Sequence, residues 1–345
     1  MSKNILFLKD SEINDWLIDG FSQKKIDLTF FGIDKGTQML NQHRFKRIIY
    51  LHFGYLVLSI KGLFKSKRDD IIICYLDVLA LYVFISSKIF MKRRNIIVIN
   101  VMFNDNNDIV TRIKYKLFKW MLNSKKIYPC VTSIELQMYY NKLFDFHNKS
   151  FELVHDCYGR LENFKRSYTE GDGYVFCGGT NGRDWDTLVR VASILPSIKF
   201  VIVGPKKETL GKKYPSNIRY YHNISFNKFQ LLMEKSSICA LPLNTEAPAG
   251  LIVLYTAGLM SKPVVTTNNV TMREYIDSGE NGFLIERNDY RSFADKLSFI
   301  MEDKEYRMNL GISLHEKVNR LGSPQNFIEN IIKIVDKIKD ENITN

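Results

Sequence analysis

The feature that most limits what this chain can fold into is the alternation of short β-branched apolar runs with longer stretches of helical periodicity, kept up almost from end to end. Neighbouring parallel strands need a crossover of a dozen or more residues, and a helix supplies it, so the pattern predicts parallel sheets covered by helices. In the first half, strands are expected at Ile5–Leu8, Leu28–Gly32, Ile71–Tyr75, Ile96–Val101 and Ile127–Val131. In the second half they are expected at Tyr174–Cys177, Phe200–Val203, Ile218–Tyr221, Ile238–Leu241, Val264–Thr266 and Phe283–Ile285. Between the two sets, Tyr158–Gly173 is polar, carries three glycines and has no apolar period.

The expected architecture is α/β, with two Rossmann-like doubly wound domains facing a cleft: residues 1–157, a linker at 158–172, and residues 173–322. Helical patterns at Tyr290–Glu302, Lys304–Arg320 and Phe327–Lys339 have no strand after them. The last, within 323–345, is expected to leave its own sheet and pack on the first domain or on a partner. A length of 345 residues with 45% hydrophobic and 25% charged residues gives each domain enough material for a core and excludes disulfide-miniprotein, collagen-like and disordered classes. Five scattered cysteines form no CxxC pair, and no secretory signal precedes the first strand. Reduced thiols, a cytoplasmic location and no metal site are the expectation.

The formal net charge of +12 is unevenly placed. Residues 1–155 hold 24 Lys and Arg against 14 Asp and Glu, and the remainder hold 25 against 23. The basic surplus therefore belongs to the first half, which raises an anionic membrane surface, a phosphorylated substrate or nucleic acid as its partner. Nucleic acid is set aside, because no helix-turn-helix, RNP-type or zinc-finger pattern accompanies the charge. Ile48–Ile60 is a largely apolar run of thirteen residues between Arg44, Lys46, Arg47 and Lys61, Lys65, Lys67, Arg68. It is read as too short to span a bilayer, so it is either an interfacial helix or a sheet-covering helix whose lysines snorkel. Arg112–Lys126 repeats the theme with Lys114, Lys116 and Lys119 around Leu117, Phe118 and Trp120. A peripheral position at an anionic membrane face is the resulting expectation.

Ligands of doubly wound sheets sit beyond the carboxyl ends of strands. Two loops of the second half are candidates. Cys177–Trp185 contains Gly178, Gly179 and Gly182 followed by Arg183, a composition suited to a phosphate near a helix start. Leu243–Leu251 leads into an apolar helix whose first amides, at Ala249, Gly250 and Leu251, would hold a pyrophosphate, with Glu246 available to sugar or ribose hydroxyls.

These segments, in order, carry a resemblance. Tyr174–Gly179, Lys199–Pro205, Asn217–Tyr221, Ser237–Leu243, Ala249–Val265 and Arg273–Ile285 resemble the nucleotide-sugar-binding domain of GT-B-fold glycosyltransferases of the family-4-type retaining group, over about Gly173 to Arg320. The first half fits the family's acceptor domain in pattern only.

The resemblance implies that Arg183 contacts the donor diphosphate, with Gly179 where the family often has an Arg. Gly204 and Pro205 would face the nucleotide, Asn223 to Phe226 would pass near the base, and Ala249, Gly250 and Leu251 would hold the diphosphate by backbone. It departs from the family at the paired glutamates, whose places fall on Pro248 and Thr256. Thr256 would offer one hydroxyl to a ribose and Glu246 would substitute for the first carboxylate. The implied activity is transfer of a sugar from a nucleotide-diphosphate sugar, the only small molecule called for, to a lipid-linked or glycan acceptor of bacterial surface-polysaccharide assembly.

Tyr75, Asp77, Asn104, Asp105 and His155 follow first-half strands or lie at the domain junction, and are the acceptor-side candidates, Asp105 first as hydroxyl-activating base. A non-catalytic subunit of the same fold, binding an active partner or a glycan, is the alternative that the missing glutamates favour. A nucleotide-sugar epimerase is less favoured by a second half with only His222 and His315.

Overall fold

The computed structural model describes residues 4–9, 15–32, 44–103, 108–146, 149–159, 169–206, 209–210 and 213–343. The chain divides into two units, Met1–Gly159 with Pro324–Asn345, and Arg160–Ser323.

In the first unit six strands pair in parallel in the order β2 (Leu28–Gly32), β1 (Ile5–Lys9), β3 (Ile71–Tyr75), β4 (Asn95–Ile99), β5 (Ile127–Val131) and β6 (Glu152–Leu153). Strand side chains alternate between faces, so Ile5, Phe7, Ile71, Ile73, Ile97 and Ile99 point one way. They meet α1 (Asp15–Gln23) and α11 (Pro324–Ile343). Helix α11 presents Phe327, Ile328, Ile331, Ile334, Val335 and Ile338 at helical spacing, all buried. The final helix of the chain is thus a structural part of the first unit. On the other face lie α2 (Arg44–Lys65), α3 (Asp77–Ile89) and α4 (Ile109–Leu122), with Gly62 of α2 set against Leu8. Helix α5 (Ile134–Leu143) starts on Ser133, whose hydroxyl accepts from the Leu136 amide at 3.1 Å.

In the second unit the parallel order is β12 (Gly282–Ile285), β11 (Val264–Thr267), β10 (Ile238–Leu241), β7 (Tyr174–Gly178), β8 (Lys199–Gly204) and β9 (Ile218–His222). The chain winds outward from β7 to β9, then returns to build β10, β11 and β12 on the other side. The topological switch point lies between β7 and β10. Helices α6 (Trp185–Ile194) and α9 (Tyr290–Glu302) close one face, burying Leu188, Val191, Phe293 and Leu297 against Val175 and Ile202. Helices α7 (Phe226–Glu234), α8 (Leu251–Leu259) and α10 (Lys304–Gly322) complete the unit. Lys262, fully buried between α8 and β11, donates to the carbonyl and hydroxyl of Thr169 at 2.6 and 2.8 Å. Burial lowers its pKa to about 8.

Three expectations differ from the structure. Strand β4 ends at Ile99 rather than Val101, because Asn100 turns to φ 60° and breaks the extended run. Strand β6, two residues long, has no alternation from which to be read. The thirteen-residue apolar run is the middle of the 22-residue α2, whose segment Ile48–Lys65 is long and apolar enough, by length and composition, to cross a membrane. Lys61 interrupts the run in sequence, but Gly62, Leu63 and Phe64 continue the apolar pattern beyond it.

Candidate functional site

The switch point of the second unit joins the two loops singled out in the sequence. The Arg183 backbone bridges Leu243 in antiparallel fashion, the Asp184 amide donates to the Pro242 carbonyl at 3.0 Å, and the Asn244 amide donates to the Gly182 carbonyl at 2.9 Å. The loop after β7 is therefore zipped to the loop after β10. Asp184 then caps α6, its carboxylate accepting from the Thr187 amide at 3.0 Å and hydroxyl at 2.7 Å.

This zipper fixes Arg183. The side chain is 5% exposed, its Nε donating to the Gly178 carbonyl at 2.8 Å and its Nη1 to the Asn181 carbonyl at 2.8 Å. Among the described residues no carboxylate faces it and Nη2 has no hydrogen-bond partner. Burial pulls its pKa below the ordinary arginine value. Guanidinium groups keep their proton in proteins, so the site holds a desolvated positive charge with no negative partner among the described residues.

Two glycines make the placement possible. A Cβ on Gly179 would stand 2.3 Å from Arg183 Nη2, and the residue sits at φ 114°. The glycine at this position leaves the space of a side chain to the guanidinium. Gly250, the N-cap of α8 at φ 84°, would bring a Cβ to 3.3 Å from Nη1. The guanidinium thus lies beside the start of α8, where the first amides of a helix have no intrahelical acceptor and the helix dipole is positive. Ala249 and Leu251 flank that cap, with Ala249 Cβ within 3.0 Å of where a Gly182 Cβ would be. A guanidinium, a helix N-terminus and glycine backbone converging on one point are an arrangement suited to an anion of phosphate type.

The remaining donor-side candidates are spread along the same strand ends. Gly204 ends β8 beside this loop, since the Gly179 amide donates to the Val203 carbonyl at 3.2 Å, and Pro205 comes next, exposed. Asn223 lies just past β9, left-handed at φ 50°. Glu246 is in the β10–α8 loop, turned toward the segment after β11. Its carboxylate accepts from the Val270 amide at 3.1 Å and pairs with Arg287 at 2.7 Å. Thr256 is buried in α8 with its hydroxyl donating to the Ile252 carbonyl at 2.6 Å, so its hydrogen is spent within the helix.

Sequence reasoning missed Arg287, Asn269 and Thr267. Asn269 Oδ1 accepts from the Thr271 and Met272 amides at 3.1 and 2.8 Å and its Nδ2 donates to the Thr245 carbonyl at 2.9 Å, while Thr267 Oγ1 accepts from the Leu243 amide at 2.8 Å. These two hold the β10–α8 loop in place. The polar run Thr266–Asn269 at the carboxyl end of β11 was the available signal; Arg287, 41 residues from Glu246, left none.

In the first unit, Tyr75 at the end of β3 donates to Asp156 at 3.0 Å, and Lys9 lies 5.0 Å over its ring. Asp77 is buried, its carboxylate accepting from the Met102 amide at 2.9 Å, with its pKa raised by burial. That bond ties the segment after β4 to α3. His155 is buried next to Asp156. Asn104 and Asp105 lie outside the described residues. Among the described residues no group of three or more His, Cys, Asp or Glu side chains gathers as metal ligands would.

Residues 183–314 match the family model of glycosyl transferases group 1. The capsular polysaccharide biosynthesis glycosyltransferase CapM of Staphylococcus aureus is 29% identical over 69 residues, which is 20% of this chain and 18% of that protein. Among solved structures, sucrose-phosphate synthase from Thermosynechococcus elongatus superposes with a TM-score of 0.71 at 11% identity, over 98% of this chain and 100% of that one. Anabaena HepE in complex with UDP and glucose gives 0.66 at 14% identity, over 97% and 99%. A point mutant of TarM of S. aureus, in complex with fondaparinux, α-GlcNAc-glycerol and UDP, gives 0.61 at 18% identity, over 81% of this chain and 58% of that one. At these identities the structural likenesses establish the fold.

Proposed function

We propose that this chain, a GT-B-fold protein whose second unit carries the glycosyl transferases group 1 family over residues 183–314, transfers a sugar from a nucleoside-diphosphate sugar to a lipid-linked or glycan acceptor in bacterial surface-polysaccharide assembly. The observation that carries the reading is the buried guanidinium of Arg183, unmatched by any carboxylate among the described residues and set beside the N-cap of α8. UDP in the structures of HepE and TarM supports a uridine donor, and the capsular role in CapM's name supports the acceptor class.

In such a transfer the bond from the anomeric carbon to the diphosphate breaks and one to the acceptor oxygen forms. The acceptor hydroxyl gives its proton to a base, and the bond electrons leave with the nucleoside diphosphate. Arg183 and the first amides of α8 stabilise the charge that grows on that diphosphate, in a site already organised before substrate arrives. Glu246, steered by Arg287 and the Val270 amide, is the carboxylate assigned to the donor sugar in place of the family's first glutamate. Asp105 is the residue assigned to activate the acceptor hydroxyl. The test is release of nucleoside diphosphate from a panel of UDP-sugars in the presence of bacterial lipid extract. Full turnover by Arg183→Met would remove the donor-site assignment.

One observation favours a second reading. With Pro248 and Thr256 in the glutamate positions, and the Thr256 hydroxyl engaged with Ile252, a non-catalytic subunit would bind nucleotide sugar without consuming it. Nucleotide binding with no turnover across donors and lipid extracts identifies that case.

A further inference from the structure

The first unit carries a surface that the donor chemistry does not use. On α2, Ile49, Phe53, Leu56, Val57, Ile60 and Phe64 fall within an arc of roughly 100° on a helical wheel. Five of the six are 40–64% exposed, and Ile60 is half-buried. The opposite stripe is the one that packs: Tyr55, Leu58, Gly62 and Leu63 are buried, and Ser59 Oγ lies 3.0 Å from Ser86 Oγ of α3. A sheet-covering helix of a soluble unit shows polar residues outward, and this one shows a second apolar stripe. The stripe continues across the layer. Phe64 contacts Phe90 at the end of α3, and Phe84 of α3 contacts Trp120 of α4. On α4, Ile109, Ile113 and Trp120 are more than half exposed.

Beside Trp120 is a shallow open groove of about 560 Å³ between α3 and α4, lined by Phe84, Tyr115 and Trp120 and by Lys88, Lys116 and Lys119. Asp145 meets Lys119 at 3.4 Å, and among the described residues neither Lys88 nor Lys116 meets a carboxylate. Lys61 and Lys65 flank the apolar stripe of α2. An apolar band with cations at its margins matches an anionic leaflet, in which acyl chains accept the band and phosphates accept the lysines. A second copy of this chain would bring like charge against like. A bilayer span would strip α2 of its contacts with α3 and β1 and carry Lys61 into the hydrocarbon.

The geometry points to an interfacial docking face: α2 lies in the plane of an anionic bilayer together with the exposed stripe of α4, and a phospholipid phosphate sits in the α3–α4 groove on Lys88 and Lys116. It uses residues of the first unit alone, so it stands or fails apart from the donor-site reading.

Flotation of the full chain with vesicles tests it. Vesicles containing about 30% phosphatidylglycerol should carry the protein at least about tenfold more tightly than pure phosphatidylcholine at about 0.1 M salt. Phe53→Ser with Val57→Ser should lose at least about tenfold on the anionic vesicles, and Lys88→Gln with Lys116→Gln severalfold. All variants should keep wild-type nucleotide binding, which separates this failure from misfolding. Equal flotation of the variants and wild type overturns the proposal. Resistance of the bound protein to alkaline carbonate would make α2 a span and overturn it too. So would competition by inorganic phosphate at matched ionic strength, which would reassign the groove to free phosphate, or dimerisation through α2 with no flotation.

Discussion

The first unit wears its surplus cations outside, on helices that also expose apolar stripes, whereas the second unit hides one arginine at the switch point of its sheet. Both are six-stranded parallel sheets with helices on both faces, so the contrast does not come from architecture. It comes from what solvent does to charge. An exposed lysine is hydrated and screened, and it acts collectively, through a field that falls off within about 10 Å at ordinary salt. A guanidinium removed from water and left without a counterion acts singly, and strongly, on whatever anion can reach it. Of the net charge of +12 the first unit carries the larger share, 27 Lys and Arg against 19 Asp and Glu where the second has 22 against 18, while in the second unit one buried arginine stands apart at the switch point.

The largest effect that could break this contrast is on turnover. Arg183→Met keeps the side-chain volume, removes the charge, and should lower kcat/KM by about 10²–10³-fold while leaving the melting temperature within a few degrees. Vesicle flotation of the same variant should be unchanged, which a general loss of structure would not allow. Glu246→Gln and Arg287→Met come next. Each should lower kcat by about tenfold or more, with the double variant no worse than the poorer single one, because both act on one carboxylate position. Additive losses would mean that Arg287 serves a different group.

A smaller effect concerns stability. Lys262 titrates at about 8 in the folded protein and near the ordinary lysine value when unfolded. Below pH 8 both states are protonated and the cost of the buried cation is fully felt. As pH rises from about 8 to the unfolded value the unfolded state binds more protons, so stability rises. Wild type should therefore gain up to about 2 kcal/mol over Lys262→Met across that window in urea unfolding. A difference between the two that does not change with pH would contradict it. Smaller still, Gly179→Ala should weaken nucleotide binding severalfold by pressing on Arg183 Nη2.

Most of the fold was legible because strands such as Ile71–Tyr75 and Ile127–Val131 are bounded runs whose period or length speaks for itself. The two candidate loops stood out for a related reason, since glycines and an arginine at strand ends have few uses besides turns and anions, and the structure joins them at the switch point. What stayed hidden was reciprocal. Nothing around Gly179 in sequence says that its missing side chain makes room for Arg183, and nothing around Glu246 points to Arg287. The direction of the Thr256 hydroxyl, inward to Ile252, is likewise a packing outcome. The membrane question turned on counting: thirteen apolar residues became a 22-residue helix once the lysine at 61 proved to be a flank of the stripe and not its end.

The central claim is that the switch point of the second unit is built for a nucleoside diphosphate, and calorimetric titration of the full chain with UDP, GDP and ADP tests it most directly. One-to-one binding of at least one of them is expected, with a Kd below about 1 mM that weakens at least about thirtyfold in Arg183→Met. Silence with all three at millimolar concentration, or equal affinity in the variant, would contradict it.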